Sequence, residues 1–383
     1  MKASVEGLGL FYCLGSDYIL PMLKKLFQWI ARILLLLFAT FGLFLLWASW
    51  AQFDPAEVES LPVHSTKDAP LLQCGKPLKI MSWNIQFLAG KGYTFFFDLP
   101  GNKGPDSRPS RESIEQTLAD VVRGIEREDP DIVLLQEVDK FASRTGKEDQ
   151  LKRILEKLPP EYSQSVETYY WSMPFVPHPK VMGSAGLTLA AFSRVRIASA
   201  RRIALPQPQY AFPMGYFQFR RAILQMEIPV EGAESLRLLN THLEVSLGDG
   251  SVKRREVAML DSLFAVLEKD QKPWILAGDF NLLPPGEYAR IPKSERVWFH
   301  PEIDLGPLYA KYEAFPVLDS LQGEHREDFL THWPNRPGAK GKDKVIDAFF
   351  YGNLEFVTGH VGNSISGGRS DHEPLTAQVR LCP

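Results

Sequence analysis

Eight residues carry types and placements that could do chemistry together. Asn84 in "SWNI", Glu137 in "LLQEV", His242 in "NTHLE", Asp279 and Asn281 in "AGDFN", Asp347 in "VIDAF", and Asp371 with His372 in "SDHEP" each stand where an apolar run turns polar. Singly, each reads as a turn former or strand cap. Together they supply four carboxylates, two carboxamides and two imidazoles at strand ends, which points to one converging site. Hard carboxylate oxygens suit Mg²⁺ or Mn²⁺, and amides or imidazoles can hold phosphate oxygens. In an extended chain Asp279 and Asn281 would face the same side, because alternate residues do.

The elements that must position these groups are short apolar strands alternating with amphipathic helices. "LKIMSWNI" reads as a strand. "SRESIEQTLADVVRGIERE" follows as a helix with Ser110 as N-cap and Ile114, Leu118, Val121 and Ile125 on one face. "DPDIVLLQEV" is a buried strand. The order recurs later: Val257, Leu260, Phe264 and Leu267 line one face of a helix ahead of "KPWILAGDFN". With "GLTLAAF", "AILQMEI", "LRLLNTHLE", "KVIDAFFY" and "PLTAQVRL" as further strands, the chain is an α/β protein rich in sheet.

Ahead of this lies "ILLLLFATFGLFLLWASWA", Ile33 to Ala51, without a charge. A helix of that length rises about 28 Å, close to a bilayer core. Trp29, Trp47 and Trp50 sit where interfacial aromatics would. Lys24, Lys25 and Arg32 precede the run and Asp54, Glu57 and Glu59 follow it. The positive-inside bias therefore places residues 1–25 in the cytoplasm, a transmembrane signal anchor at 26–51, and the remainder outside, in the periplasm if the source is bacterial. A cleaved signal peptide is the alternative, with Ser49 and Ala51 as small residues before Gln52, although the apolar run exceeds the usual signal core. Met22 would itself make a good start for an anchor. Residues 52–77, with four Pro and mixed charges, read as a linker.

The chain has 383 residues, 45% hydrophobic and 23% charged, as a folded globule requires. Its formal net charge of −3 lacks the broad basic surface of a non-specific duplex binder. Cys13, Cys74 and Cys382 form no zinc-ligand pattern.

"MSWNIQ", "DIVLLQEV", "GLTLAAFSRVRI", "NTHLE", "AGDFN", "VIDAFF" and "SDHEP", in this order, resemble the endonuclease/exonuclease/phosphatase (DNase I-like) superfamily over residues 78–382. The resemblance implies a domain at 78–383 built as a four-layer α/β sandwich, two face-to-face mixed sheets flanked by helices, performing divalent-metal-dependent phosphoester hydrolysis. By position, Glu137 would be the principal metal ligand, with Asn84 and Asp371 in the metal shell. Asp279 would orient or deprotonate water, Asn281 would hold a phosphate oxygen, His372 paired with Asp347 would sit on the phosphate, and His242 would contact phosphate or assist the leaving group. If the terminal strands run antiparallel side by side, as that fold implies, Cys74 and Cys382 would lie close enough to bond outside the cytoplasm.

Three stretches bear on substrate. Tyr93 and Phe95 to Phe97 form an aromatic run, either a locally packed loop or an apolar lip for lipid. "YYWSMPFVPHPKVMG" and "QYAFPMGYFQFRRA" are candidate rim elements. Arg220 and Arg221 would bind a further phosphate or form salt bridges. Tether and aromatic loops favour a membrane-tethered phosphodiesterase or phosphatase acting on a lipid-like phosphoester. An extracytoplasmic nuclease is the alternative within the enzyme class, and a catalytically silent binding module the alternative outside it.

Overall fold

A computed structural model describes residues 9–245, 248–336, 338–362 and 370–382. The chain divides into two units, Met1–Gln52 with Ala211–Tyr216, and Phe53–Tyr210 with Phe217–Pro383. In the first, Gly9–Ala51 is one helix that runs through Pro21. Its Leu20–Ala51 portion holds an 18-residue window of mean hydropathy 2.3 and is long and apolar enough to cross a membrane, a measure that a signal sequence also meets.

The second unit contains two seven-stranded sheets. One runs, in spatial order, Val58–Leu61, Ser199–Ala204, Ala222–Ile228, Leu236–His242, Trp274–Asp279, Asp347–Gly352 and Glu313–Phe315. The other runs Glu355–Val361, Leu375–Arg380, Pro77–Asn84, Ile132–Asp139, Gly183–Ser193, Gln164–Val176 and His64–Ser65. Both mix parallel and antiparallel pairs.

The period-two alternation of side chains sets the layers. Leu78 and Ile80, Ile132 and Leu134, Leu236 and Leu238, Ile275 and Ala277, and Phe349 and Tyr351 point between the sheets into one core. Their neighbours Met81, Trp83, Val133 and Leu135 instead meet Ile114, Leu118, Val121 and Ile125 of the helix Arg111–Glu128. On the other side Leu239, Trp274, Leu276 and Phe350 meet Val257, Leu260, Phe264 and Leu267 of the helix Ser251–Lys269. Helix, sheet, sheet and helix give the four layers. A fully buried side chain such as Phe264 or Trp274 contributes on the order of 2–3 kcal/mol to them.

The helix Arg111–Glu128 begins where the Ser110 hydroxyl accepts the Ser113 N–H at 3.1 Å. It ends at Asp129, whose φ of 50° turns the chain ahead of Pro130.

The expected linker is largely folded. Within 52–77, Val58–Leu61 pairs with Ser199–Ala204, His64–Ser65 with Gln164–Val176, and Leu72–Gln73 with Val230–Glu231. Val58–Leu61 and His64–Ser65 are edge strands of the two large sheets, and of the four Pro only Pro77 falls in a strand, at its first residue. Only residues 52–57 lie between the apolar helix and the first strand.

The terminal strands Pro77–Asn84 and Leu375–Arg380 are antiparallel neighbours. Cys74 and Cys382 form a disulfide at their shared end, with Cα atoms 5.5 Å apart.

Candidate active site

The alternation that builds the inner core also loads its open end with polar groups. Continuing inward from Leu78 and Ile80 come Ser82 and Asn84; after Ile132 and Leu134 comes Gln136; after Leu236 and Leu238 come Asn240 and His242. Asp279 follows Ile275 and Ala277 in the same way, and Asp347 precedes Phe349. In register, His242 pairs with Asp279 and Asp279 with Asp347, while Asn84 pairs with Gln136 on the facing sheet.

Two backbone features complete the placement. Strict alternation would turn Glu137 outward, but the pairing shifts between Leu135 and Val138 and Glu137 takes φ 55°. That bulge re-aims its carboxylate inward, and a left-handed Glu is strain of the kind that gathers at functional sites. Gly278, at φ 149°, lets the strand before Asp279 approach its neighbour, since a Cβ there would lie 2.0 Å from the Thr241 carbonyl oxygen.

All eight sequence-selected residues fall in one cluster. Asn84 Nδ2 donates to Glu137 Oε1 at 3.1 Å and to Asp279 Oδ2 at 3.0 Å, joining the two sheets, while its Oδ1 accepts the Gln86 N–H at 3.0 Å. Asp279 Oδ2 lies 3.4 Å from His242 Nε2 and 3.5 Å from His372 Nε2. His242 Nε2 is 3.9 Å from Glu137 Oε1, and its Nδ1 is 3.2 Å from the Tyr170 hydroxyl. His372 Nδ1 is 2.8 Å from Asp347 Oδ2. Asp371 accepts from Asn335 Nδ2 at 2.8 Å, and it lies with His332 and His372 in a group whose ligand atoms fall within 4.8 Å.

Asn281 arrives by a different route from the one its spacing implied. The strand ends at Asp279, and Asn281 has φ 48°. Its N–H returns to Asp279 Oδ1 at 2.9 Å and its side-chain Nδ2 donates to the Leu243 carbonyl at 3.1 Å. A turn, not extended alternation, holds the two together, as Asn and Asp side chains favour.

Several members went unselected in the sequence. Tyr170, Lys253, His332, Asn335 and Ser370 sit in or under the site, and no strand-end switch marks them. Ser370 Oγ donates to the Asn84 carbonyl at 2.7 Å. Gln136 Nε2 donates to Asn240 Oδ1 at 2.7 Å, a second bridge between the sheets. Arg221 is buried against Glu244, 3.2 Å away, and donates to the His242 carbonyl at 3.1 Å, so the salt-bridge reading applies to it. Lys253 Nζ donates to the Asn281 carbonyl at 2.7 Å. The aromatic run packs mainly on itself: Phe95 is buried, stacked between Tyr93 at 5.5 Å and Phe97 at 5.4 Å.

The electrostatics are those of crowded carboxylates. Burial, with Asp347 adding to it, raises Asp279 to about 7 against the pull of His372 and the hydrogen bonds from Asn281 and Asn84. Burial and the Glu137 charge raise Asp371 to about 6, against His372. Burial, then Asp371 and Glu137, raise Asp98 to about 8. His372 goes to about 10, because Asp347, Asp279 and Asp371 together outweigh its burial. His242 is held well below its usual value by burial, Arg221 and His372, and so stays neutral. A site whose acids push one another toward protonation is short of positive charge, and these oxygen donors fit a divalent cation. Among the described residues, two groups bring their ligand atoms within 4.8 Å of one another, Asp279 with Asp347 and His372, and Asp371 with His332 and His372.

Comparison with known proteins agrees with this architecture. The model of the Endonuclease/Exonuclease/phosphatase family matches residues 81–372. No curated protein matches the chain in sequence. Among solved structures, an endonuclease/exonuclease/phosphatase from Beutenbergia cavernae DSM 12333 superposes with TM-score 0.54 at 20% identity, covering 80% of this chain and 72% of that one. ANGEL2, a 2′,3′-cyclic phosphatase, gives 0.51 at 16% identity, over 84% and 98% of the two chains. A family protein from Leptotrichia buccalis C-1013-b gives 0.50 at 16%, over 79% and 100%. At these identities the structures speak to fold alone. The family match spans Asn84 through His372 and takes in all eight residues of the cluster, and the chain belongs to the endonuclease/exonuclease/phosphatase family.

Proposed function

We propose that this protein is a membrane-tethered phosphoester hydrolase, a phosphodiesterase or phosphatase, that works with Mg²⁺ or Mn²⁺ on a lipid-like phosphoester. The observation that carries the chemistry is Asp279 Oδ2, buried between His242 Nε2, His372 Nε2 and Asn84 Nδ2. A carboxylate so enclosed, and raised toward neutrality, is matched to taking a proton from water.

The other roles follow from charge and geometry. Asp347 fixes His372 with Nδ1 bonded, which leaves Nε2–H of an imidazolium to donate to a non-bridging phosphate oxygen. His242 Nε2 faces two carboxylates, so its proton belongs there and Nδ1 accepts the Tyr170 hydroxyl. That N–H can donate to the phosphate or the leaving oxygen. Asn281, pinned by Lys253 and Leu243, is placed for a phosphate oxygen. Glu137 and Asp371 are the preferred cation ligands; Asn84, which turns Nδ2 toward Glu137 and Asp279, orients both in the metal shell. The bound cation would offset charge on phosphate oxygens and lower the pKa of water. Buried donors aimed at developing charge supply the rest.

Tethering rests on the apolar helix, and the charge flanks favour a cytoplasmic amino terminus. The Cys74–Cys382 disulfide suits an oxidising compartment.

The test is turnover by the full chain in nanodiscs with Mg²⁺ or Mn²⁺, against Glu137→Ala, on lipid phosphodiesters, inositol phosphates and DNA. Glu137-dependent release from lipid supports the reading. Glu137-dependent turnover of DNA without lipid makes the protein a nuclease. No turnover of any substrate would favour a silent binding module.

A further inference from the structure

The first strand enters its sheet at the site. Val58 pairs with Ile203, Ile203 with Ile223, Ile223 with Thr241 and Thr241 with Gly278, so the row that begins at Val58 ends one residue before Asp279. Residues just before Val58 are already fixed at this end. Glu57 O accepts the Ala204 N–H at 2.7 Å, Ala56 O accepts from Arg202 at 3.3 Å, and the Phe53 ring lies 6.2 Å from Tyr169. Residues 52–57 are all the chain between the apolar helix and this strand, a span of at most ~20 Å fully extended.

Three loops project from the same end of the facing sheet: 86–110 after Asn84, 140–148 after the strand of Glu137, and the hairpin turn 177–182. They are continuous with one another. Phe96 stacks on His178 at 5.1 Å, Lys180 donates to the Pro105 carbonyl at 3.4 Å, and Ser184 Oγ donates to the Phe141 carbonyl at 2.7 Å. Each loop exposes one large apolar side chain: Phe97 (40%), Phe141 (53%) and Met182 (60%). The exposed charged side chains of these loops are Lys103, Arg108, Lys147 and Lys180, every one basic, on a chain of net charge −3.

We infer that this rim docks the active-site end onto an anionic bilayer, with Phe97, Phe141 and Met182 in the acyl boundary and the four basic residues on lipid phosphates. Apolar side chains interleaved with cations are what an interfacial surface needs. The inference rests on the helix reading as a membrane span and is independent of the reaction catalysed. It gives the lipid reading a route, because a phosphoester in the headgroup layer would meet the site without leaving the bilayer.

The test uses full-length chain with Cys13→Ser, carrying a single added cysteine at Phe141→Cys, Met182→Cys or Val266→Cys and labelled with a fluorescent maleimide under non-reducing conditions. Val266 is exposed near the carboxyl end of the helix Ser251–Lys269. The proteins are placed in vesicles of phosphatidylcholine with about one third phosphatidylglycerol, with or without brominated acyl chains. Brominated lipid should quench the labels at 141 and 182 and spare that at 266. Lys103→Glu, Lys147→Glu and Lys180→Glu together should lower the docked-to-undocked ratio at least about tenfold, since each cation near an anionic surface is worth ~1 kcal/mol. No quenching at 141 and 182, or equal quenching at 266, overturns the inference. So does a single-stranded DNA oligonucleotide that binds the labelled rim in the absence of lipid quenching. Quenching without lipid turnover upholds the docking and removes only the substrate reading; lipid turnover without quenching does the reverse.

Discussion

His372 Nδ1 lies 2.8 Å from Asp347 Oδ2, and both groups are buried. Burial alone would keep this imidazole neutral; Asp347, with Asp279 and Asp371, reverses that and raises it to about 10. A raised histidine contributes stability that is complete below its unfolded value near 6.5 and is lost as pH climbs toward 10. The metal-free protein, held in EDTA, should therefore lose stability over that window. Asp347→Asn should bring the His372 titration down by more than one unit by NMR and flatten the stability profile between those pH values. An unchanged His372 midpoint would break the pairing argument.

Asp279→Asn tests the proton acceptor while preserving shape and the bond from the Asn281 N–H. If Asp279 takes the proton from water, kcat should fall about 10²–10⁴-fold with little change in KM. An equal rise in KM with kcat retained would instead make Asp279 a substrate-binding group.

Much of the site was legible because strand periodicity and burial act together. Once Leu78 and Ile80 face the core, Asn84 must too, and the same holds for His242 and Asp279. What was hidden depended on departures from regular structure. Asn281 reaches the site through a left-handed turn, and Glu137 through a bulge that no apolar pattern announces. Tyr170 lies within a long strand, and His332 and Asn335 belong to a loop, so only tertiary packing brings them in. The folded stretch 58–77 was illegible for a related reason. Edge strands of two to four residues carry too few side chains to display a period, and their pairing is chosen by distant partners.

Glu137→Gln removes one of the charges that push Asp371 and Asp98 upward. In EDTA the variant should melt higher than wild type, because a like-charge cluster is relieved. With Mg²⁺ or Mn²⁺ the order should reverse, since wild type gains binding energy that the variant lacks. Isothermal titration should register cation binding to wild type and at least tenfold weaker binding to Glu137→Gln. A cation-independent melting temperature in wild type would remove Glu137 and Asp371 as ligands.

Gly278→Ala places a methyl group 2.0 Å from the Thr241 carbonyl oxygen at a backbone φ of 149°. The neighbour is backbone in a paired strand and cannot swing aside. The substitution should cost at least ~2 kcal/mol in denaturant unfolding and displace Asp279, one residue on, so that activity falls beyond what partial unfolding explains. Wild-type activity with wild-type stability would mean that the two strands are less closely apposed than described.

The strands Pro77–Asn84 and Leu375–Arg380 carry the site at one end and the Cys74–Cys382 disulfide at the other. The strand Pro77–Asn84 between them spans about 23 Å at ~3.3 Å per residue. The crosslink joins residues 308 apart in sequence, so it restricts the unfolded chain far more than the folded one. Cys74→Ser with Cys382→Ser should lower unfolding free energy by about 2–4 kcal/mol. Below the unfolding transition kcat and KM should be unchanged, because the antiparallel pairing between the two strands holds the site end in register without the sulfurs. A variant that kept its stability and lost kcat would show the opposite: that the crosslink acts on the geometry of Asn84 and His372 along the two strands, and its removal would then have to shift the His372 titration as well.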